Sequence, residues 1–185
     1  MWTRRQRQMC IRDRYFYGDN QDLAEFTSRV SEEAYKQIST HLAWDLKNRV
    51  SILVYNSHNE FQQTNVVGVY MSEGIGGVTE LFKNRVVFPF DGDFEQFRHV
   101  IHHELVHAML NDMVYGGTAQ NMVASRTRVR IPLWANEGLA EFLSSNWDTK
   151  ADMILRDIAV HERIPTVNEL NYFCLLYTSP SPRDG

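Results

Sequence analysis

Apolar residues recur every three to four positions from Leu23 to Leu42, at Leu23, Phe26, Val30, Ala34, Ile38 and Leu42. That spacing turns one face of a helix away from water, and the polar residues from Asp19 to Asp22 supply candidate N-caps. Arg49 to Tyr55, RVSILVY, is short and β-branched and predicts a strand, and Ser57 to Thr64 predicts a turn or one short helix. Gly74-Ile75-Gly76-Gly77 breaks the pattern before two strand-like runs, Val78–Phe82 and Val86–Phe90, which Lys83-Asn84 can join as a hairpin. A second helix is expected from Asp93 to Asp112, with Asp91-Gly92-Asp93 ahead of it and Phe94, Phe97, Ile101, Leu105 and Ala108 as its apolar face. After a polar stretch from Tyr115 to Arg130, Pro132 suits the first turn of a third helix reaching Ser145. A fourth is expected from Lys150 to Val160. Helix, then strands, then helices, with no internal repeat, predict an α+β fold.

The chain has 185 residues, 43% of them hydrophobic, which suffices for the core of one domain. No apolar run approaches the roughly 18 residues of a membrane span. The composition excludes a disordered, collagenous or disulfide-stapled chain. The two ends depart from the middle. Residues 1–14 carry five Arg and no hydrophobic period, and residues 174–185 end in alternating Ser and Pro. Met9-Cys10-Ile11-Arg12-Asp13 and Cys174-Leu175-Leu176-Tyr177-Thr178 can be encoded by opposite strands of one short DNA sequence. That DNA resembles a transposon end used as a sequencing-library adapter, so both ends are expected to be non-native tails flanking a domain fragment at 15–173. Without the tails, 13 basic residues face 21 acidic ones, and the net charge moves from −4 to −8. Such an acidic domain disfavours nucleic acid as a partner. Both cysteines lie in the tails, so they carry no information on redox compartment.

The chemistry concentrates in His103-Glu104-Leu105-Val106-His107. Positions i and i+4 share a helix face, so both imidazoles can reach one ion. Glu104 is turned about 100° from His103, beside such an ion, where a general base for metal-activated water belongs. A catalytic zinc needs a third protein ligand and an open fourth position. Trp134-Ala135-Asn136-Glu137-Gly138-Leu139-Ala140-Glu141 offers two carboxylates one turn apart: one can bind metal while the other accepts a hydrogen bond from a ligating imidazole. A structural zinc is disfavoured, because such sites fill all four positions, mostly with thiolates, and residues 15–173 contain no cysteine.

HELVHAML followed by PLWANEGLAEF resembles the gluzincin metallopeptidases, most closely the bacterial peptidase MA-like domains, over residues 75–170. The resemblance implies a zincin-like fold, with a small mixed sheet, an active-site helix and a helical C-terminal part. It implies Zn2+ held by His103, His107 and Glu137, with Glu104 as the catalytic base and Glu141 bonded to His103. The implied activity is zinc-dependent hydrolysis of peptide bonds, with a peptide or protein lying along the edge of the 78–90 sheet. The implied setting is the periplasm or cell envelope, with a β-propeller following in some relatives. The chain departs from the family pattern in two ways. Glu137 stands 30 positions beyond His107, a longer gap than in aminopeptidase-type members, and no residue clearly matches the Tyr or His that stabilises the oxyanion. Tyr115, Arg128 and Tyr172 are the candidates. A non-catalytic zincin-like module that binds an envelope partner is the rival expectation.

Other polar residues have ordinary readings. His99 and His103 are also four apart, but Val100 stands where a base would be. His102 is expected to be an ordinary polar or packing residue, and His41, His58 and His161 to face solvent. Asp91 and Asp93 are read as helix caps, Trp134 as a core anchor, and Arg126, Arg128 and Arg130 as a solvated face. Gly76-Gly77 is read as a loop that allows close approach of a bound peptide.

Overall fold

The computed structural model describes residues 2–5, 11–17, 20–62, 78–80, 84–116, 131–144, 149–161 and 163–170. In chain order the elements are β1 (Trp2–Arg5), β2 (Ile11–Tyr17), α1 (Gln21–Leu42), β3 (Val50–Tyr55), α2 (His58–Gln62), β4 (Val78–Glu80), β5 (Arg85–Pro89), α3 (Phe94–Tyr115), α4 (Leu133–Ser144), α5 (Thr149–Val160) and α6 (Val167–Leu170). The strands form one mixed sheet in the order β1-β2-β3-β5-β4. Its interior pairs, β2 with β3 and β3 with β5, are parallel, whereas β1 and β4 lie antiparallel on the two edges. A parallel pair needs a long crossover, and α1 supplies it between β2 and β3.

Sequence pattern marks no element in residues 1–14, yet β1 and the first half of β2 lie there. The reason is physical: β2 is ordered by backbone pairing with distant β3, Ile11 opposite Val50, and β1 by pairing with β2, Trp2 opposite Tyr17, and not by any period of their own. The short α6 was likewise not expected. The remaining boundaries fall within a few residues of the expected ones, and α3 runs one turn further, to Tyr115. Residues 174–185 lie outside the described residues.

Alternation along β3 and β5 divides the core into two layers. Val50, Ile52, Val54, Val86 and Phe88 belong to one cluster with Leu23, Val30, Ala34 and Ile38 of α1 and with Phe97, Ile101, Leu105 and Met109 of α3. Leu53, Tyr55 and Val87 alternate to the opposite face, where Phe61 of α2 is fully buried and its ring lies 6.1 Å from that of Tyr55. Rings of Phe26, Phe88, Phe90, Phe94 and Phe97 meet at centroid distances of 4.7 to 6.3 Å and join α1 and β5 to the start of α3. No described residue of α5 or α6 is buried.

The other end of α3 is held by a carboxylate. Asp112 is 3% exposed and accepts hydrogen bonds from Trp44 Nε1 (3.1 Å), Lys47 N (2.9 Å), Asn48 N (3.1 Å) and Asn48 Nδ2 (2.9 Å). It thereby fixes the connection from α1 to β3 against the last turn of α3. Removing the acceptor strands several donors, each worth roughly 1 kcal/mol or more when unsatisfied. Asp112→Ala is therefore expected to destabilise the chain by about 3 kcal/mol or more in chemical denaturation. An unchanged unfolding midpoint would show that the loop is held by something else.

Candidate metal centre

α3 begins where Asp93 accepts hydrogen bonds from Glu95 N (2.8 Å) and Gln96 N (3.2 Å), and it ends at Gly116, whose φ of 69° suits a residue without Cβ. Eleven of its residues are buried, among them Leu105, Val106, Ala108, Met109 and Leu110, because it packs on α1, on the sheet and on α4. A helix enclosed in this way holds its side chains in narrow rotamer choices. α4 starts behind Pro132, whose carbonyl accepts from Ala135 N (3.1 Å) and Asn136 N (3.0 Å). Its buried Ala140 anchors it on the core, and Glu137 and Glu141, one turn apart, reach the imidazoles of α3.

Three ligand atoms meet there. His103 Nε2 lies 3.2 Å from His107 Nε2, and Glu137 Oε2 lies 3.3 Å from each of them. Ligands about 2.0–2.1 Å from a tetrahedral zinc ion stand about 3.3–3.4 Å from one another. The triangle of two imidazoles and a carboxylate therefore has the size and donor set that zinc requires, and these residues could hold the ion. His103 Nδ1 is 3.4 Å from Glu141 Oε2. A proton on Nδ1 shared with that carboxylate leaves the Nε2 lone pair directed into the triangle. His107 Nδ1 is buried and has no hydrogen-bond partner among the described residues.

The charges are coupled. Burial, the largest influence on His103, opposes its protonation. Hydrogen bonds to Glu137 and Glu141, and the negative charges of Glu104 and Glu137, outweigh it and raise the imidazole to about 9. Burial likewise favours the neutral form of Glu137, but bonds to His103 and His107 and their charges hold it down at about 2. A cation of some kind, proton or metal, is thus strongly favoured between α3 and α4.

Glu104 faces the sheet side of the helix and is 9% exposed. Its Oε2 accepts a 2.6 Å hydrogen bond from Thr79 Oγ1 on β4, and Thr79 Oγ1 also lies 3.0 Å from the Glu104 main-chain oxygen. Thr79 carries no signal in the sequence, since only the packing of β4 on α3 brings the two residues together. His99 is the other residue whose role was not expected. Its Nε2 lies 3.5 Å from Glu141 Oε2, so His99, His103 and Glu141 form a second, looser group of possible ligand atoms. The i,i+4 spacing to His103 was the available signal.

The remaining candidates are dispersed. His102 is buried on another face of α3, where burial first, and then the nearby charge of Arg98, lower its proton affinity. His41 and His161 are exposed and bond carbonyls of their own helices. Asp91 is exposed, and Trp134 is half-buried, with no partner for its indole N–H among the described residues. Tyr115 lies two turns beyond His107, about 12 Å along the axis, out of reach of the triangle. Tyr172, Arg126, Arg128, Arg130 and Gly76-Gly77 lie outside the described residues, as does the side chain of His58. An open recess of about 1000 Å³ lies at the ends of β3 and β5 and is lined by Asn20, Asp22, Asn56, Ser57, Phe90 and Asp91. It contains none of the ligand atoms.

No protein-family model, curated protein or solved structure matches the chain. The coupled charges supply a test that needs no substrate. With no metal bound, the raised His103 contributes stability that is complete below its unfolded value of 6.5 and is lost as pH rises through about 9. The lowered Glu137 contributes stability above 4.5 that is lost as pH falls toward 2. The melting temperature of the chelated chain is expected to fall between pH 6.5 and 9, with a shallower fall in His103→Gln. Equal slopes in the two proteins would contradict this coupling.

Proposed function

We propose that the chain is a zinc-dependent peptidase of the gluzincin type, built on a zincin-like fold. The observation that carries this reading is the triangle of His103, His107 and Glu137, with Glu104 next to His103 in α3 and its charge acting on that imidazole. When bound, zinc supplies Lewis-acid polarisation of a peptide carbonyl and lowers the pKa of water. Glu104 accepts the proton of the attacking water and returns it to the departing amine. Glu141 holds the proton on His103 Nδ1 and so keeps the opposite nitrogen available for the ion. The substrate is an extended peptide added as a strand beside β4, the edge of the sheet nearest α3.

The rival reading, a non-catalytic module binding a partner in a bacterial cell envelope, such as a following β-propeller, is favoured by one feature. Leu133, Phe142, Met153, Leu155, Val160, Ile164 and Val167 are all exposed on α4, α5 and the segment reaching α6. Two substitutions separate roles within the site. Glu104→Gln keeps the size of the side chain and removes its basicity, so it is expected to retain zinc while peptide hydrolysis falls by about 100-fold or more. Glu137→Ala is expected to weaken zinc binding by at least about tenfold, measured by competition with a chelating dye. Full hydrolysis by Glu104→Gln would remove Glu104 as the base, and no hydrolysis by the zinc-loaded parent chain would favour the binding module.

A further inference from the structure

We propose that Thr79 is a positioning residue for Glu104, coupling occupation of the β4 edge by a peptide to the orientation of the base. The inference rests on the peptidase reading of the site and deepens it.

Thr79 sits in the middle of β4, opposite Val86 of β5. Among the described residues β4 ends the sheet, so one side of the strand pairs with β5 and the other is the edge. An exposed edge accepts an added strand through its main-chain groups. Successive side chains of a strand alternate between faces, and the Thr79 side chain is on the face that meets α3. Its hydroxyl bonds the carboxylate of Glu104 at 2.6 Å, the short range of an O–H···O⁻ bond. That bond engages Oε2, and Oε1 accepts none among the described residues, so one oxygen is tethered while the other remains for proton transfer.

One hydroxyl carries one proton and two lone pairs, and two acceptors lie within its reach, Glu104 Oε2 and the Glu104 main-chain oxygen at 3.0 Å. With Glu104 ionised, the hydroxyl proton goes to Oε2. Once Oε1 has taken up a proton, Oε2 is the carbonyl oxygen of the acid and still accepts from the Thr79 hydroxyl. The contact therefore persists through both halves of a proton's transfer. A peptide paired along β4 restrains the strand's backbone, and through Thr79 it restrains the base. Interactions remote from the scissile bond then raise turnover as well as affinity.

The test uses the full chain and three forms of it: the parent, Thr79→Val, which is close in shape and lacks the hydroxyl, and Thr79→Ser, which restores it. With zinc-loaded protein and a series of peptides of increasing length, Thr79→Val is expected to lose about 10- to 100-fold in kcat with KM and zinc content unchanged. It should also lose the rise of kcat with peptide length, and Thr79→Ser should recover most of both. The 13C signal of the Glu104 carboxyl, read by NMR without substrate, should shift in Thr79→Val and return in Thr79→Ser. Parent activity with an unchanged kcat and carboxyl signal in Thr79→Val would overturn the role of Thr79 alone. A parent chain that binds zinc and cleaves no peptide would overturn the peptidase reading and this inference with it. A kcat loss that Thr79→Ser fails to rescue would reduce Thr79 to packing.

Discussion

Two imidazoles and a carboxylate held within 3.3 Å of one another between two packed helices cannot all keep their hydration. Their mutual charges must be balanced in place, because an unpaired charge there costs several kcal/mol. The shifts of His103 upward and Glu137 downward express that demand: the pocket favours a cation strongly enough to hold a proton on an imidazole to about 9. Zinc, bound as proposed, would meet the same demand with two charges and the same three ligand atoms, and proton and metal would then compete for the site. Under that proposal the contact between α3 and α4 would depend on what is bound there, and stability and metal affinity would be two readings of one equilibrium.

α3 makes this arrangement precise because it is the centre of the core as well as the carrier of the site. Its start is held by a cluster of five phenylalanine rings, and its end by the four donors gathered on Asp112. Between those anchors, Leu105, Val106, Ala108 and Met109 pack on the sheet and on neighbouring helices, leaving His103, Glu104 and His107 little freedom to turn. Two of these side chains have an orienting partner on another element: Glu141 for His103 and Thr79 for Glu104. The helix supplies the spacing, and its neighbours supply the aim.

How much of this was legible in the sequence follows from how local each cause is. His103, Glu104 and His107 were visible because i, i+1 and i+4 on one helix are a local matter. The convergence of Glu137 and Glu141 on that face needed the tertiary packing of α4, and only a motif suggested it across the 30 positions from His107. The amphipathic period of α1 and the β-branched run of β3 were plain. β1 and β2 were hidden, since strands ordered by backbone pairing, β2 with distant β3 and β1 with β2, need no hydrophobic period. His99 was set aside for lacking a base beside it, although its actual partner, Glu141, lies on another helix. Thr79 could not have been found at all, because nothing in the order of residues joins β4 to α3.

The most direct measurement is zinc per chain, by elemental analysis of the purified 185-residue chain after loading and dialysis against a mild chelator, with circular dichroism to show that it is folded. The account predicts about one tightly held zinc per chain, reduced in Glu137→Ala. A folded chain that retains no zinc would contradict a metal centre at His103, His107 and Glu137.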